Sequence, residues 1–293
     1  MKKFKYILLA FILCATIAAE SAFAGNIEPI LNLRNITYDI PEKSGEVTNF
    51  PWKNDKEFLD AKEKYNTPLL MAGFCAVLKN PLPGEEHNVA LAAKSVNGLV
   101  IKPDKVFSQN SSIGPYIEKK GYKKGASYIG GDIIMTEGGG VCKIATTLYN
   151  LVILSNLDIV ERHNHSMPIN YVPYGQDATV AYGVKDFRFK NTTDGNILIW
   201  SKLIGNRLYM GFYGTNKPPK VIWNHETSDV TEPSIKYVRN ENLPKGEMKT
   251  IIEGLKGATV KSTVTIVYPD GNTKEKNLGI SRYIPLPKVI EIH

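Results

Sequence analysis

The sequence predicts an α+β protein, with a mixed, β-rich domain built around one central apolar helix and followed by a small all-β module. Three observations carry that reading. Val141, Ile144, Ala145, Leu148, Leu151, Val152 and Ser155 recur at 3.6-residue spacing, which describes a helix with one buried face. Short β-branched and aromatic stretches punctuated by Gly, Asn and Pro surround it and fill the tail. The helix follows three consecutive glycines, Gly138, Gly139 and Gly140, whose backbone can approach a ligand closely.

With 293 residues, 43% hydrophobic and 22% charged, the chain can bury one large core or two smaller ones and is neither disordered nor fibrous. Residues 1–24 read as a secretory signal: Lys2, Lys3 and Lys5 precede an apolar run over 6–19, and Ala22-Phe23-Ala24 is a small-x-small cleavage site. The apolar run falls short of the ~20 residues needed to span a bilayer. Loss of residues 1–24 takes the formal charge from +7 to +5, spread along the chain without a basic block. Such a balance suits a polyanionic envelope surface. No aromatic-rich basic motif indicates nucleic acid, and no later stretch is long enough for a stable membrane span.

Residues 25–65, with Pro29, Pro41 and Pro51, read as a loosely ordered lead-in without chemistry. A buried strand is expected over 69–77. A helical stretch follows, carrying Val89, Leu91, Ala92, Val96, Leu99 and Val100, with a stop at Asn97-Gly98. Residues 126–129 and 132–135 form a hairpin across Gly130-Gly131. After the central helix, strands are expected over 177–182 and 186–190, the latter turning Phe187 and Phe189 inward. Residues 197–204 pair with 207–212 across Gly205-Asn206. Residues 217–220 form a linker. The tail shows β-type alternation over 249–253 and 259–268, a turn at 269–272, and closes at Pro285 and Pro287. It carries no His, Cys or acidic cluster, so a binding or spacing role is expected there.

Three cysteines exclude a disulfide-dense scaffold and a four-cysteine metal cluster. Cys14 lies in the signal, Cys75 in an apolar run, and Cys142 at the start of the central helix. A thiol at a helix N-terminus gains from the positive end of the dipole, and Lys143 beside it adds to that. The Gly139, Gly140 and Cys142 amides form a candidate oxyanion hole. A thiolate needs a proton acceptor, and His163 and His165 follow about 20 residues later. Asp177 and Asp186 are candidates to orient an imidazole, and Arg162 and Arg188 to hold a substrate carboxylate. Other readings stand beside these. Cys142 can be a small buried apolar side chain, the histidines a metal pair lacking a third ligand at zinc-like spacing, and Cys75 with Cys142 a disulfide after export. His87 and His225 read as surface or structural.

These motifs resemble the VanW-like family of exported Gram-positive envelope proteins. The resemblance covers roughly 69–213. It rests on Gly138-Gly139-Gly140-Val141-Cys142, Thr147-Leu148-Tyr149-Asn150, Glu161-Arg162-His163-Asn164-His165-Ser166, Tyr171-Val172-Pro173, and Asp177-Ala178-Thr179-Val180-Ala181-Tyr182-Gly183, continued by Asp186-Phe187 and Asn191. From about residue 220 the tail resembles the β-rich G-five module of cell-wall proteins, on Asn242-Leu243-Pro244-Lys245-Gly246-Glu247, the Gly254 and Gly257 region, and Tyr268-Pro269-Asp270-Gly271. The implied domains are a signal (1–24), a lead-in (25–65), a VanW-like domain (66–216) and a G-five-like module (220–293).

The family's name comes from a gene neighbourhood linked to glycopeptide resistance. The resemblance implies a secreted or wall-associated enzyme without a cofactor, an L,D-transpeptidase acting on peptidoglycan stem peptides, with the tail on wall glycan. Cys142 would be the nucleophile, His165 or His163 the proton shuttle, and the glycine amides the oxyanion donors. A non-catalytic wall-binding protein and a cysteine peptidase or amidase are the alternatives. Members continue the cysteine with Gln-x-Ser-Ser-Thr, whereas here the chain reads Lys143-Ile144-Ala145-Thr146-Thr147.

Overall fold

The central sheet of the computed structural model has five antiparallel strands, and the helix bearing Cys142 lies against it. The structure describes residues 38–79, 81, 84–129 and 132–293, so the signal, the start of the lead-in and the Gly130-Gly131 turn lie outside the described residues. In chain order the elements are β1 (Gly45–Glu46), α1 (Lys56–Tyr65), β2 (Leu69–Val77), α2 (Glu85–Val96), β3 (Val100–Ile101), β4 (Val106–Ser108), α3 (Gln109–Ile113), β5 (Lys124–Ile129), β6 (Asp132–Glu137), α4 (Cys142–Leu154) and β7 (Asp158–Glu161). They continue with β8 (Arg188–Lys190), β9 (Ile197–Ile204), β10 (Arg207–Gly214), β11 (Lys220–Thr231), β12 (Ile235–Arg239), β13 (Met248–Ile252), β14 (Gly257–Val267), β15 (Thr273–Tyr283) and β16 (Lys288–Ile292). The protein is β-rich, with several sheets and four α-helices among the described residues.

The central sheet runs β1-β2-β10-β9-β3. β2 reads as a continuous apolar run because both its faces are covered, and Met71 through Val77 are buried. α4 packs on β2 and β10, and α2 on β9. β9 and β10 form the expected hairpin, Arg207 opposite Ile204. α2 ends at Val96 with Asn97 as its cap, and Val100 belongs to β3 instead of the helix. β5 and β6 pair as a hairpin, and β4-β8-β7 form a small sheet; of the expected strand over 186–190 only Arg188–Lys190 pairs, with Phe189 in it and Phe187 just before it both fully buried. α4 has no polar face turned to water: every residue from Lys143 to Leu154 is buried.

The lead-in differs from expectation wherever it is described. Trp52 is 0% exposed, stacks on Phe50 with ring centroids 4.6 Å apart, and donates from Nε1 to Tyr213 Oη at 3.0 Å. Phe58 of α1 packs edge-on against Tyr213 at 4.7 Å. Aromatic burial of this size holds a proline-bearing segment in place without a regular apolar period. The expected strand over 177–182 is also absent. Apart from isolated bridges at Thr179 and Ala181, its backbone groups go to side chains: Ala178 and Val180 to polar side chains of α4, and the Asp177 carbonyl to Arg162.

Residues Ile40–His293 form one compact unit. The tail folds as two three-stranded sheets, β11-β14-β15 and β12-β16-β13, the second with β12 parallel to β16. The chain therefore does not close at Pro287. Val221, Val264 and Ile266 join the same apolar core as α4 and the central sheet. No helix among the described residues is long and apolar enough to cross a membrane.

Candidate functional site

The glycine turn is built by close approach. Gly140 has φ +105°, and a Cβ there would lie 2.7 Å from Glu85 Cγ; a Cβ on Gly139 would strike the Gly125 carbonyl. Only glycine fits such contacts. Fully buried Asn88, on α2, pins the turn to the hairpin. Its Nδ2 donates to the carbonyls of Lys123 (2.8 Å) and Gly139 (2.9 Å), and its Oδ1 accepts from Lys123 N (2.8 Å). Asn88 was not singled out from sequence.

Of the three expected oxyanion donors, Gly139 is already committed, since its N–H goes to Thr136 O at 3.2 Å. The Gly140 and Cys142 N–H groups meet no acceptor among the described residues. That is the usual state of amides at a helix N-terminus, which leaves them able to bind negative charge.

Cys142 opens α4, and its Sγ lies 3.3 Å from Thr179 Oγ1 and 3.5 Å from Val180 N. One and two turns on, Thr146 Oγ1 donates to Ala178 O and accepts from Ala178 N, both at 3.0 Å, while Asn150 Nδ2 donates to Gln176 O at 2.9 Å. Cys142, Thr146 and Asn150 are thus a polar i, i+4, i+8 row that zips the helix to residues 176–180. Three polar side chains at i, i+4, i+8 spacing on one line of a largely apolar helix were the signal for this contact.

The zipped segment carries Asp177, which is 1% exposed. Its Oδ2 accepts from His165 Nδ1 and from His165 N, each at 2.7 Å. Its Oδ1 accepts from Arg162 Nη2 at 3.1 Å and Tyr283 Oη at 2.5 Å. Burial alone raises a carboxyl, but His165, Arg162 and Tyr283 together hold Asp177 below the usual carboxylate range. Burial likewise works against the His165 cation, and the bonds to Asp177 and Cys142 overcome it, raising the imidazole to about 9. Burial raises the Cys142 thiol, while His165 above all, then Thr179 and the Val180 amide, bring it below the ordinary thiol value. The pair therefore tends toward thiolate and imidazolium.

Cys142 and His165 line a cavity of about 620 Å³, whose walls include Gly140, Tyr116, Tyr171 and Tyr182. The other expected residues stand elsewhere. His163 is turned to Glu161 Oε1 at 3.0 Å, half-exposed and outside the cavity lining, so the two histidines do not share a centre. Arg162 is consumed internally: Nε donates to Asp177 O at 2.8 Å, Nη1 to Ser281 Oγ at 2.8 Å, and its guanidinium lies 4.9 Å from the Tyr149 ring centre. Arg188 faces Glu161 at 3.7 Å, beside a second, more open cleft of about 480 Å³. Asp186 accepts from Ser108 Oγ, Asn110 N and Phe187 N and meets no imidazole. Lys143 contacts the Glu85 carboxylate and lies 4.8 Å from the Tyr171 ring centre, so it does not assist the thiol as its adjacency implied. Cys75 is a free, fully buried thiol pushed up to about 12 by burial, and no disulfide joins it to Cys142.

Known proteins share the stretch that carries these residues. Residues 84–213 match the family model described as VanW like protein. The uncharacterized protein YoaR of Bacillus subtilis is 38% identical over 130 residues, which is 44% of this chain and 43% of that protein. The vancomycin B-type resistance protein VanW of Enterococcus faecalis is 30% identical over 157 residues, 52% of this chain and 55% of that protein. The chain thus spans about half the length of these relatives. Two solved G5 domains, from HP0197 and from an IgA1 protease, cover 25% and 26% of the chain at 13% and 18% identity. Their TM-scores, 0.15 and 0.17, carry no argument about the fold. The match to the VanW-like model spans the glycine turn, Cys142, His165 and Asp177.

Proposed function

We propose that the protein is a cysteine L,D-transpeptidase of peptidoglycan. The observation that carries the reading is the row of Cys142, His165 and Asp177, with the first two on the wall of one cavity and the carboxylate behind the imidazole. A thiolate, a base and an orienting third group are the parts that acyl transfer through a covalent intermediate requires.

In this reading the Cys142 thiolate attacks the carbonyl joining the third stem residue to the terminal D-alanine. The Gly140 and Cys142 amides bind the oxyanion. His165, protonated, gives its proton to the departing D-alanine amine as the C–N bond breaks, leaving a thioester on Sγ. The side-chain amine of a second stem's third residue then attacks, His165 accepts its proton, and a 3-3 crosslink forms with the thiol restored. Asp177 bonds Nδ1, so Nε2 is the nitrogen that serves the thiol and the amines. The residues after 220, by their resemblance to the G-five module, would dock the chain on wall glycan in a secreted or wall-associated setting.

The test is muropeptide analysis of wall fragments treated with the purified chain. New 3-3 crosslinked dimers that disappear with Cys142→Ala are expected. Identical profiles for the two proteins favour a non-catalytic wall-binding role, and release of free tripeptide without dimer assigns a hydrolase.

A further inference from the structure

We infer that Tyr283, from the tail, is a positioning residue of the Cys142 site: its hydroxyl holds the Asp177 carboxylate so that the opposite oxygen stays on His165 Nδ1. This rests on the proposed roles of Cys142 and His165. Tyr283 lies 106 residues from Asp177 at the end of β15, yet it is 5% exposed and donates to Asp177 Oδ1 at 2.5 Å. Its oxygen also accepts the Gly175 N–H at 2.8 Å, which leaves the hydroxyl hydrogen for the carboxylate. Burial and the neighbouring negative charge keep the phenol protonated, hence a donor, across the physiological range.

The strand end that bears it is latched to the histidine loop. Ile284 N donates to Ser166 O at 2.8 Å, Asn164 Nδ2 to Arg282 O at 3.0 Å, and Arg162 Nη1 to Ser281 Oγ at 2.8 Å. Asp177 carries four hydrogen bonds, two to each oxygen, and a buried carboxylate so held cannot turn about its Cβ–Cγ bond. Removing the tyrosine hydroxyl leaves Oδ1 with Arg162 alone. The groups that bond the His165 ring are Cys142, from α4, and Asp177, whose other oxygen meets Arg162. The tail therefore does more than dock, because deleting it would strip a donor from behind the imidazole.

The test is the pH profile of Cys142 alkylation by iodoacetamide, followed by mass spectrometry on the full chain. Tyr283→Phe is expected to raise the profile's midpoint by about half a pH unit, roughly threefold in thiolate fraction at low pH, with an unfolding midpoint within a few degrees of wild type. Tyr174→Phe deletes a nearby hydroxyl that donates to Lys256 O and never meets Asp177, and it should leave the profile in place. A Tyr283→Phe midpoint that stays put or falls, or an equal rise in Tyr174→Phe, overturns the inference. Independently of how the variant folds, proton NMR of the wild-type chain should show an exchange-protected hydroxyl proton close to the His165 Nδ1 proton, and its absence is equally fatal. Alkylation needs no peptidoglycan. A shifted profile without crosslinking activity sinks the transpeptidase reading alone, and crosslinking with an unmoved profile sinks only the role of Tyr283.

Discussion

Two regions of the described chain, α4 and the second tail sheet, solve opposite problems. Along α4 only Cys142, on the cavity wall, is partly open: Lys143 to Leu154 are all buried, and Thr146 and Asn150 are spent on backbone partners. In β12 all five residues are exposed, and β13 is nearly so. A buried polar group must find a partner or cost free energy, so polar side chains around α4 are fixed in direction. Exposed ones in the second tail sheet are not. Chemistry that depends on orientation belongs in the first environment, and recognition of a polymer surface suits the second. The exception is the end of β15, where Ser281 and Tyr283 leave the solvent-facing pattern and enter the buried network.

Substitutions can break this contrast. The largest effect is expected at His165→Ala, which should slow crosslink formation by about 10²- to 10⁴-fold, read from initial rates of dimer release. Leu148→Ala, at a fully buried position of α4, should cost about 2–5 kcal/mol of stability in denaturant titration. Gly140→Ala, which needs φ +105° and displaces the Glu85 side chain, should cost about 1–3 kcal/mol and reduce crosslinking, since it moves an amide proposed to bind the oxyanion. Val238→Ala, on the exposed face of β12, should change stability by no more than about 0.5 kcal/mol. A loss at Val238 comparable with that at Leu148 would show that the tail sheet is buried against something in solution.

The pH dependence sharpens the same contrast. Asp177 titrates below its ordinary value of 3.8, so its contribution to stability is fully present above 3.8 and is lost as pH falls through the depressed folded value. Thermal melts below pH 4 should show that loss, and Asp177→Asn should flatten it. The acylation rate should fall on the alkaline side near pH 9, where His165 loses the proton the leaving amine needs. On the acid side it should fall only below the ordinary thiol range, because Cys142 is depressed.

Local patterns made much of this legible. The β9–β10 hairpin followed from strand-like stretches flanking Gly205-Asn206, and the strand at 69–77 from its continuous apolar run. The thiol at the head of an apolar helix and the histidine that follows it could be read from composition and spacing. What spacing could not reveal was direction. His163 and His165 are two residues apart and similar in sequence context, but only the second has a buried carboxylate opposite its ring. Residues 177–182 have strand-like composition, yet side chains of α4 take the Ala178 and Val180 amides, so no ladder forms. Tyr283 was invisible because its partner lies 106 positions away and its own neighbourhood carries no acid or histidine. Trp52 and Phe58 were missed because aromatic packing holds the lead-in where periodicity is weak.

The central claim is that Cys142 carries an acyl group in turnover. Incubating the chain with a tetrapeptide stem and measuring the intact mass tests it most directly. Cys142 should gain the acyl tripeptide as one equivalent of D-alanine is released, and Cys142→Ser or His165→Ala should show little or none. An unmodified Cys142 under conditions where wall fragments gain 3-3 crosslinks, or an adduct on another residue, would contradict it.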